Sequence, residues 1–166
     1  MLKSAGLLAA LVLGFVLAAA PALADPYRYP AAGSPAVTME RPDGWTDDPK
    51  NGLLLYAADH SGFVQVNFGE VAESPDYTDE KLATMVFDKA GVTATGSPDP
   101  VTVDGHKGRI FHGTAVIADH PVIVNMMFLR LDPTHLAAVN VTVAASATPD
   151  QTKALWAVVK SMRFAQ

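Results

Sequence analysis

At 166 residues, with 12 Lys and Arg against 17 Asp and Glu, the chain carries a formal net charge of −5. That acidic balance, with no basic cluster anywhere, makes nucleic acid and anionic membrane poor partners. The chain has no cysteine, which excludes disulfides, thiolate metal sites and cysteine nucleophiles.

The opening residues read as an export signal rather than as part of a fold. Lys3 precedes an apolar run from Ala5 to Ala20, and Ala22-Leu23-Ala24 supplies the small residues of a signal-peptidase site. Cleavage is expected between Ala24 and Asp25, giving a periplasmic or secreted protein. The apolar run is short for a membrane span, and no second one follows. The expected organisation is a signal peptide over 1–24, a flexible linker over 25–36, and a single α+β domain over 37–166.

The linker expectation rests on Asp25 to Ala36, rich in Pro, Ala and Gly and without periodicity. Val37 and Met39 then alternate with Thr38 and Glu40 in an edge-type strand, and Pro42-Asp43-Gly44 makes a turn ahead of Trp45, a core cap. Leu53 to Ala58 is a strand closed by Asp59-His60-Ser61-Gly62. In the next strand, Phe63 to Val71, Val64, Val66 and Phe68 face one way and Gln65 and Asn67 the other.

Here the period changes. Thr78 is an N-cap, Asp79 and Glu80 suit the positive end of a helix, and Tyr77 with Leu82 has the spacing of a hydrophobic staple. Leu82, Met85, Val86 and Lys89 define one side of this helix, and Gly91 ends it. Val92 to Thr95 returns to a strand, which Ser97-Pro98-Asp99-Pro100 breaks.

The stretch from Val101 to Ser146 is expected to form the heart of the sheet. Asp104-Gly105 accepts the positive φ angles of a tight hairpin. Ile110 to Ile117 stops at Ala118-Asp119-His120-Pro121, and Val122 to Leu131 stops at Asp132-Pro133-Thr134. The latter run is apolar on both faces, which implies a central strand covered from both sides. Leu136 to Ala145 should bury Val139, Val141 and Val143 and leave Asn140 and Thr142 less buried. Short turns make the pairing antiparallel. Thr148-Pro149-Asp150-Gln151 is a capping box with Pro at the first helical position, and Leu155, Val158, Val159 and Met162 form one apolar stripe behind it. The predicted fold class is therefore α+β: an antiparallel sheet of about six to seven strands flanked by helices.

The element order, the segment Glu40-Arg41-Pro42-Asp43-Gly44-Trp45 and the closing helix with Ser161-Met162-Arg163-Phe164 resemble the PsbP/Mog1-like α/β/α sandwich family over Val37 to Phe164. The resemblance implies that shape. It also implies an accessory or binding role, because family members attach to photosystems, a small GTPase or secretion systems. It carries over no catalytic set, and fold alone would not license one.

Direct searches for chemistry return little. G-x-S-x-G, H-E-x-x-H, the P-loop and the dinucleotide glycine fingerprint are all absent. Asp59-His60 and Asp119-His120 echo one another in two predicted turns, where convergence would place Asp59, His60, Asp119 and His120 around zinc or copper. Asp also favours turns for its own reasons, and a solvated His can simply follow it. His112 lies mid-strand, as a hydrogen-bonded structural histidine would. Asp47-Asp48 and Asp79-Glu80 fit a solvated turn and a helix start, and Met126-Met127 fits the core. The expectation is a non-enzymatic exported protein that docks a protein partner through a sheet face or helix groove and needs no cofactor. A small-ligand or divalent-metal binding protein is the alternative.

Overall fold

The computed structural model describes residues 25–48, 53–70 and 78–165. The expected signal peptide, Tyr77 and its staple therefore lie outside the described residues. Eleven strands and two helices are described: β1 (Asp25–Tyr29), β2 (Ala36–Arg41), β3 (Thr46–Asp48), β4 (Leu53–Tyr56), β5 (Gly62–Glu70), α1 (Asp79–Ala90), β6 (Thr93–Ala94), β7 (Asp99–Val103), β8 (His106–Ile117), β9 (His120–Arg130), β10 (His135–Ala144), α2 (Pro149–Ser161) and β11 (Arg163–Ala165). An eight-stranded sheet runs β3-β4-β5-β10-β9-β8-β6, with β7 also paired to β8, and a separate three-stranded sheet runs β1-β2-β11. Every pairing is antiparallel. The main sheet thus has eight strands where six or seven were expected; the unanticipated one is β3, three residues long and too short to show periodicity, while β6 falls within the expected Val92 to Thr95 strand.

β9 sits between β10 and β8, as its two apolar faces require. Met127 and Leu129 join an inner core with Val64, Val66, Val139, Val141, Val143 and the α2 stripe Leu155, Val158, Val159 and Met162. Val122, Val124, Met126 and Phe128 join an outer core with Phe111 and with Ala83 and Phe87 of α1. The sheet therefore has an inner face, closed by α2 and the three-stranded sheet, and an outer face that receives α1.

Both helices start as their caps dictate. The Thr148 hydroxyl accepts from the Gln151 N–H while the Gln151 side chain accepts from the Thr148 N–H, at 3.3 and 2.7 Å. Thr78 caps α1, and Gly91 ends it in the left-handed conformation. The stripe of α1 is rotated from the expected one: Ala83 and Phe87 are buried, Leu82 and Val86 flank them, and Met85 is 64% exposed. On that face Ala83 and Phe87 pack with Phe111, and two ion pairs tie the first turn to the sheet, Arg130 to Asp79 at 3.0 Å and Arg109 to Glu80. At Gly113 a Cβ would meet Val92 Cγ1 at 2.4 Å and Phe87 Cε2 at 3.1 Å, so glycine there lets α1 approach.

Three expectations are corrected. Asp25–Tyr29 is strand β1 rather than linker, paired along β2. Its single proline, Pro26, is tolerated because β1 is an edge strand. Tyr27 packs on the inner core and donates to Asp47 Oδ2 at 2.8 Å; burial and this acceptor push its phenol up to about 12. β2 is the centre of its sheet rather than an edge, since β11 pairs its other side. Thr142 is buried, at 2% exposure, because Phe63 and Val124 flank it across the strands and its hydroxyl bonds Asn140.

Candidate functional site

Two tight turns and the end of one strand build the candidate site. β8 and β9 are joined by Ala118-Asp119, whose φ values of 46° and 65° make the two-residue turn that right-twisted strands favour. β4 returns to β5 through Asp59-His60, with the His60 N–H donating to the Ala57 carbonyl and His60 at φ 58°. Between these turns runs the end of β10. The Ala144 N–H donates to the Ser61 carbonyl at 2.8 Å, and the Ala145 N–H donates to the Pro121 carbonyl at 3.0 Å. The two turn histidines thus stand on either side of one strand, with their backbones roughly 10 Å apart by two strand spacings.

The groove between them measures about 790 Å³ and opens on the outer face. Tyr56, Phe63, Ile117, Pro121 and Val122 give it apolar walls, and His60, His120, Ser61 and Thr142 give it polar points. Tyr56 and Phe63 lean together as a tilted ring pair, centroids 6.0 Å apart. Tyr56 is 39% exposed and Ile117 46%, and Val116 and Ile123 lie exposed beside the same hairpin. A volume near 800 Å³ and mixed lining fall within the usual range of ligand sites. Exposed aromatic and aliphatic side chains grouped in this way mark an interaction surface.

The structure brings His60 and His120 to one groove but leaves Asp59 and Asp119 off its lining. Asp59 has another task. Its Oδ1 accepts from the Ser61 N–H at 2.9 Å, and its Oδ2 accepts from Gln151 Nε2 at 3.0 Å, tying the turn to the start of α2. The Ser61 hydroxyl, the Ser61 N–H and the Gln151 amide hold its carboxyl below the usual range. Among the described residues, no group of three or more His, Asp and Glu could hold a metal ion.

The other singled-out residues do structural work. His112 Nδ1 lies 2.8 Å from Asn125 Oδ1 and its Nε2 lies 3.2 Å from Asp99 Oδ2, while buried Asn125 donates to the Val141 carbonyl. That chain links β7 to β10. Asp47 binds Arg41 and Tyr27, Asp79 and Glu80 are held by sheet arginines, and Met126 and Met127 fill the outer and inner cores. Asp132 folds its own turn, accepting from the N–H groups of Thr134 and His135 at 2.8 Å, and these bonds, with the His135 ring, pull it down to about 2.

Sequence reading named the two histidines and missed Tyr56, Phe63 and Ile117. A signal was present for Phe63: it falls in the strand phase of Gln65 and Asn67, opposite the valines. An aromatic in the polar phase of a half-buried strand marks a non-core use.

No family model matches the chain, and no curated protein matches it by sequence. Solved structures do match. LpqN, involved in cell envelope biogenesis in Mycobacterium tuberculosis, superposes with a TM-score of 0.60 at 11% identity, covering 85% of this chain and 90% of its own. Cyanobacterial PsbP (CyanoP) from Synechocystis gives 0.56 at 14% identity, covering 92% and 99%. The Ran-binding protein Mog1p from Saccharomyces cerevisiae gives 0.55 at 13% identity, covering 84% and 95%. The chain therefore has the PsbP/Mog1-like α+β fold that its turn and closing helix suggested.

Proposed function

We propose that the chain is an exported, non-enzymatic accessory protein that docks a protein partner in the outer-face groove. One observation carries the reading: Tyr56, Phe63, Ile117 and Val122 gather around a groove on a sheet whose other face is closed. Rigid aromatic and aliphatic anchors in a preformed depression are what a partner's hot-spot side chains fit. The lining also places no carboxylate beside either imidazole to orient it as a base. A neighbour of the same fold is described as Ran-binding, which favours a binding role on this scaffold. Placing the photoreactive residue benzoylphenylalanine at Ile117, with Lys153 on α2 as control, tests the docking surface in living cells. A discrete adduct at Ile117 alone is expected; equal labelling at both positions would remove the groove from consideration.

Export is the second part of the proposal, supported by Lys3, the apolar run and Ala22-Leu23-Ala24. Sequencing the amino terminus of the accumulated protein should give Asp25 first, and an intact Met1 start would contradict it. That His60 and His120 line one groove favours the alternative of a small ligand or divalent metal, zinc or copper. Either metal should then raise the melting temperature, and the His60→Ala/His120→Ala variant should lose that shift. An unchanged shift would dismiss the metal.

A further inference from the structure

The chemistry of the groove narrows what it can hold, on the docking reading given above. Its ionisable lining groups are His60, His120 and Tyr56, and no Asp or Glu contributes to it. Among the described residues, neither imidazole has a hydrogen-bond or ion-pair partner. Every other described histidine is engaged: His106 with the Arg130 carbonyl, His112 with Asn125 and Asp99, and His135 with Asp132. The carboxylate nearest His60 in sequence, Asp59, is occupied by Ser61 and Gln151, and Asp119 sits off the lining in its turn. An imidazole donates an N–H in either tautomer and accepts at most one hydrogen bond. Two such donors flanking an apolar depression complement a hydrogen-bond acceptor with an apolar neighbour, and an ionised carboxylate is an acceptor with no competing donor.

We propose that the partner segment seated in this groove carries an aliphatic or aromatic side chain adjacent to a carboxylate. The apolar side chain lies on Tyr56, Phe63, Ile117 and Val122, and the carboxylate accepts from His60 and His120. A purely apolar segment would leave both donors dry.

Selecting a random heptapeptide phage library on the immobilised full chain tests this. Enriched peptides should pair Leu, Ile, Phe or Tyr with an adjoining Asp or Glu. For one enriched peptide, labelled for fluorescence anisotropy, replacing its carboxylate by the amide should weaken binding about tenfold, the size of one charge-assisted hydrogen bond. The H60G/H120A chain, which has no side-chain donor at either position, should shrink that ratio to less than about twofold. Gly is chosen at position 60 because it adopts the φ of 58° without strain and carries no donor. The H60D/H120D chain should reverse the preference, favouring the same peptide with Lys in place of the acid. Enrichment without acidic residues, or a carboxylate-to-amide ratio that survives H60G/H120A, overturns the inference; the docking reading then stands if Ile117→Asp still abolishes binding. No enrichment at all, or binding indifferent to Ile117→Asp, overturns both.

Discussion

Replacing Gly62 by Ala asks whether the groove floor and α2 are held at one fixed separation. Gly62 opens β5, pairs with Val143 and lines the groove. A Cβ there would stand 2.2 Å from the Thr142 carbonyl oxygen and 2.8 Å from Leu155 Cδ1, where ordinary contacts begin at 3.4 Å. The larger overlap is with backbone that is bonded into the sheet, so no rotamer change relieves it. Leu155 is fully buried, so its methyl can turn aside only by disturbing α2. Overpacking usually costs about 1–3 kcal/mol, and a backbone obstacle places this case near 3. Against a total of about 5–15 kcal/mol, that should lower the melting temperature by about 10 °C. Urea unfolding followed by tryptophan fluorescence reads the change as a shifted midpoint with an unchanged slope. Leu155→Ala alone should cost about 2–5 kcal/mol through its cavity. Because Leu155 contributes only the lesser overlap, the two substitutions should combine with a coupling below about 1 kcal/mol. A loss under about 1 kcal/mol for Gly62→Ala, or full suppression by Leu155→Ala, would refute a rigid floor.

Three further outcomes follow from single contacts. Thr148→Ala removes one half of the α2 capping box and should cost about 1 kcal/mol by the same urea assay. Asp132 sits at about 2 when folded, so its hydrogen bonds stabilise the chain above the ordinary carboxylate range near pH 4 and are lost as pH falls toward 2. The melting temperature of Asp132→Asn should therefore depend less on pH across that window than that of the unsubstituted chain. Arg130→Met leaves Asp79, 16% exposed, without its 3.0 Å ion pair. It should destabilise by about 1 kcal/mol and raise amide exchange in α1 more than in α2.

What could be read from the sequence was local. Thr148, Pro149 and Gln151 cap a helix with groups three residues apart, and Asp104-Gly105 turns a hairpin with its own φ preferences, so no distant contact is needed. The centrality of β9 was also legible, because its two apolar faces are a property of that strand alone. β1 was not legible: what makes Asp25–Tyr29 a strand is pairing with β2 and the hold of Asp47 on Tyr27, twenty residues on. The stripe of α1 was misplaced by one position because the surface it packs on, Phe111 and Gly113 of β8, is defined only once the sheet is assembled. The meeting of His60 and His120 was a guess from two similar turns. Only the strand order, with β10 laid between β5 and β9, determines it.

The same strand order explains why the groove, rather than the cleft under α1, suits a partner. The cleft measures about 300 Å³, and Glu80 at its edge is already committed to Arg109. It is less than half the size of the groove. The floor of the groove is set by Gly62 against Thr142, and its two sides by the Ala144 and Ala145 hydrogen bonds to the turns carrying His60 and His120. A site formed before binding loses little side-chain and loop freedom when it is filled, so its exposed rings and aliphatic groups convert more of their burial into affinity. Loosening the end of β10 should therefore weaken capture without removing a single contacting side chain. Ala145→Pro deletes the N–H that reaches Pro121 while leaving Tyr56, Phe63 and Ile117 in place. Peptide affinity should fall severalfold in that variant through faster dissociation. Unchanged dissociation would show that the walls, and not their spacing, do the holding.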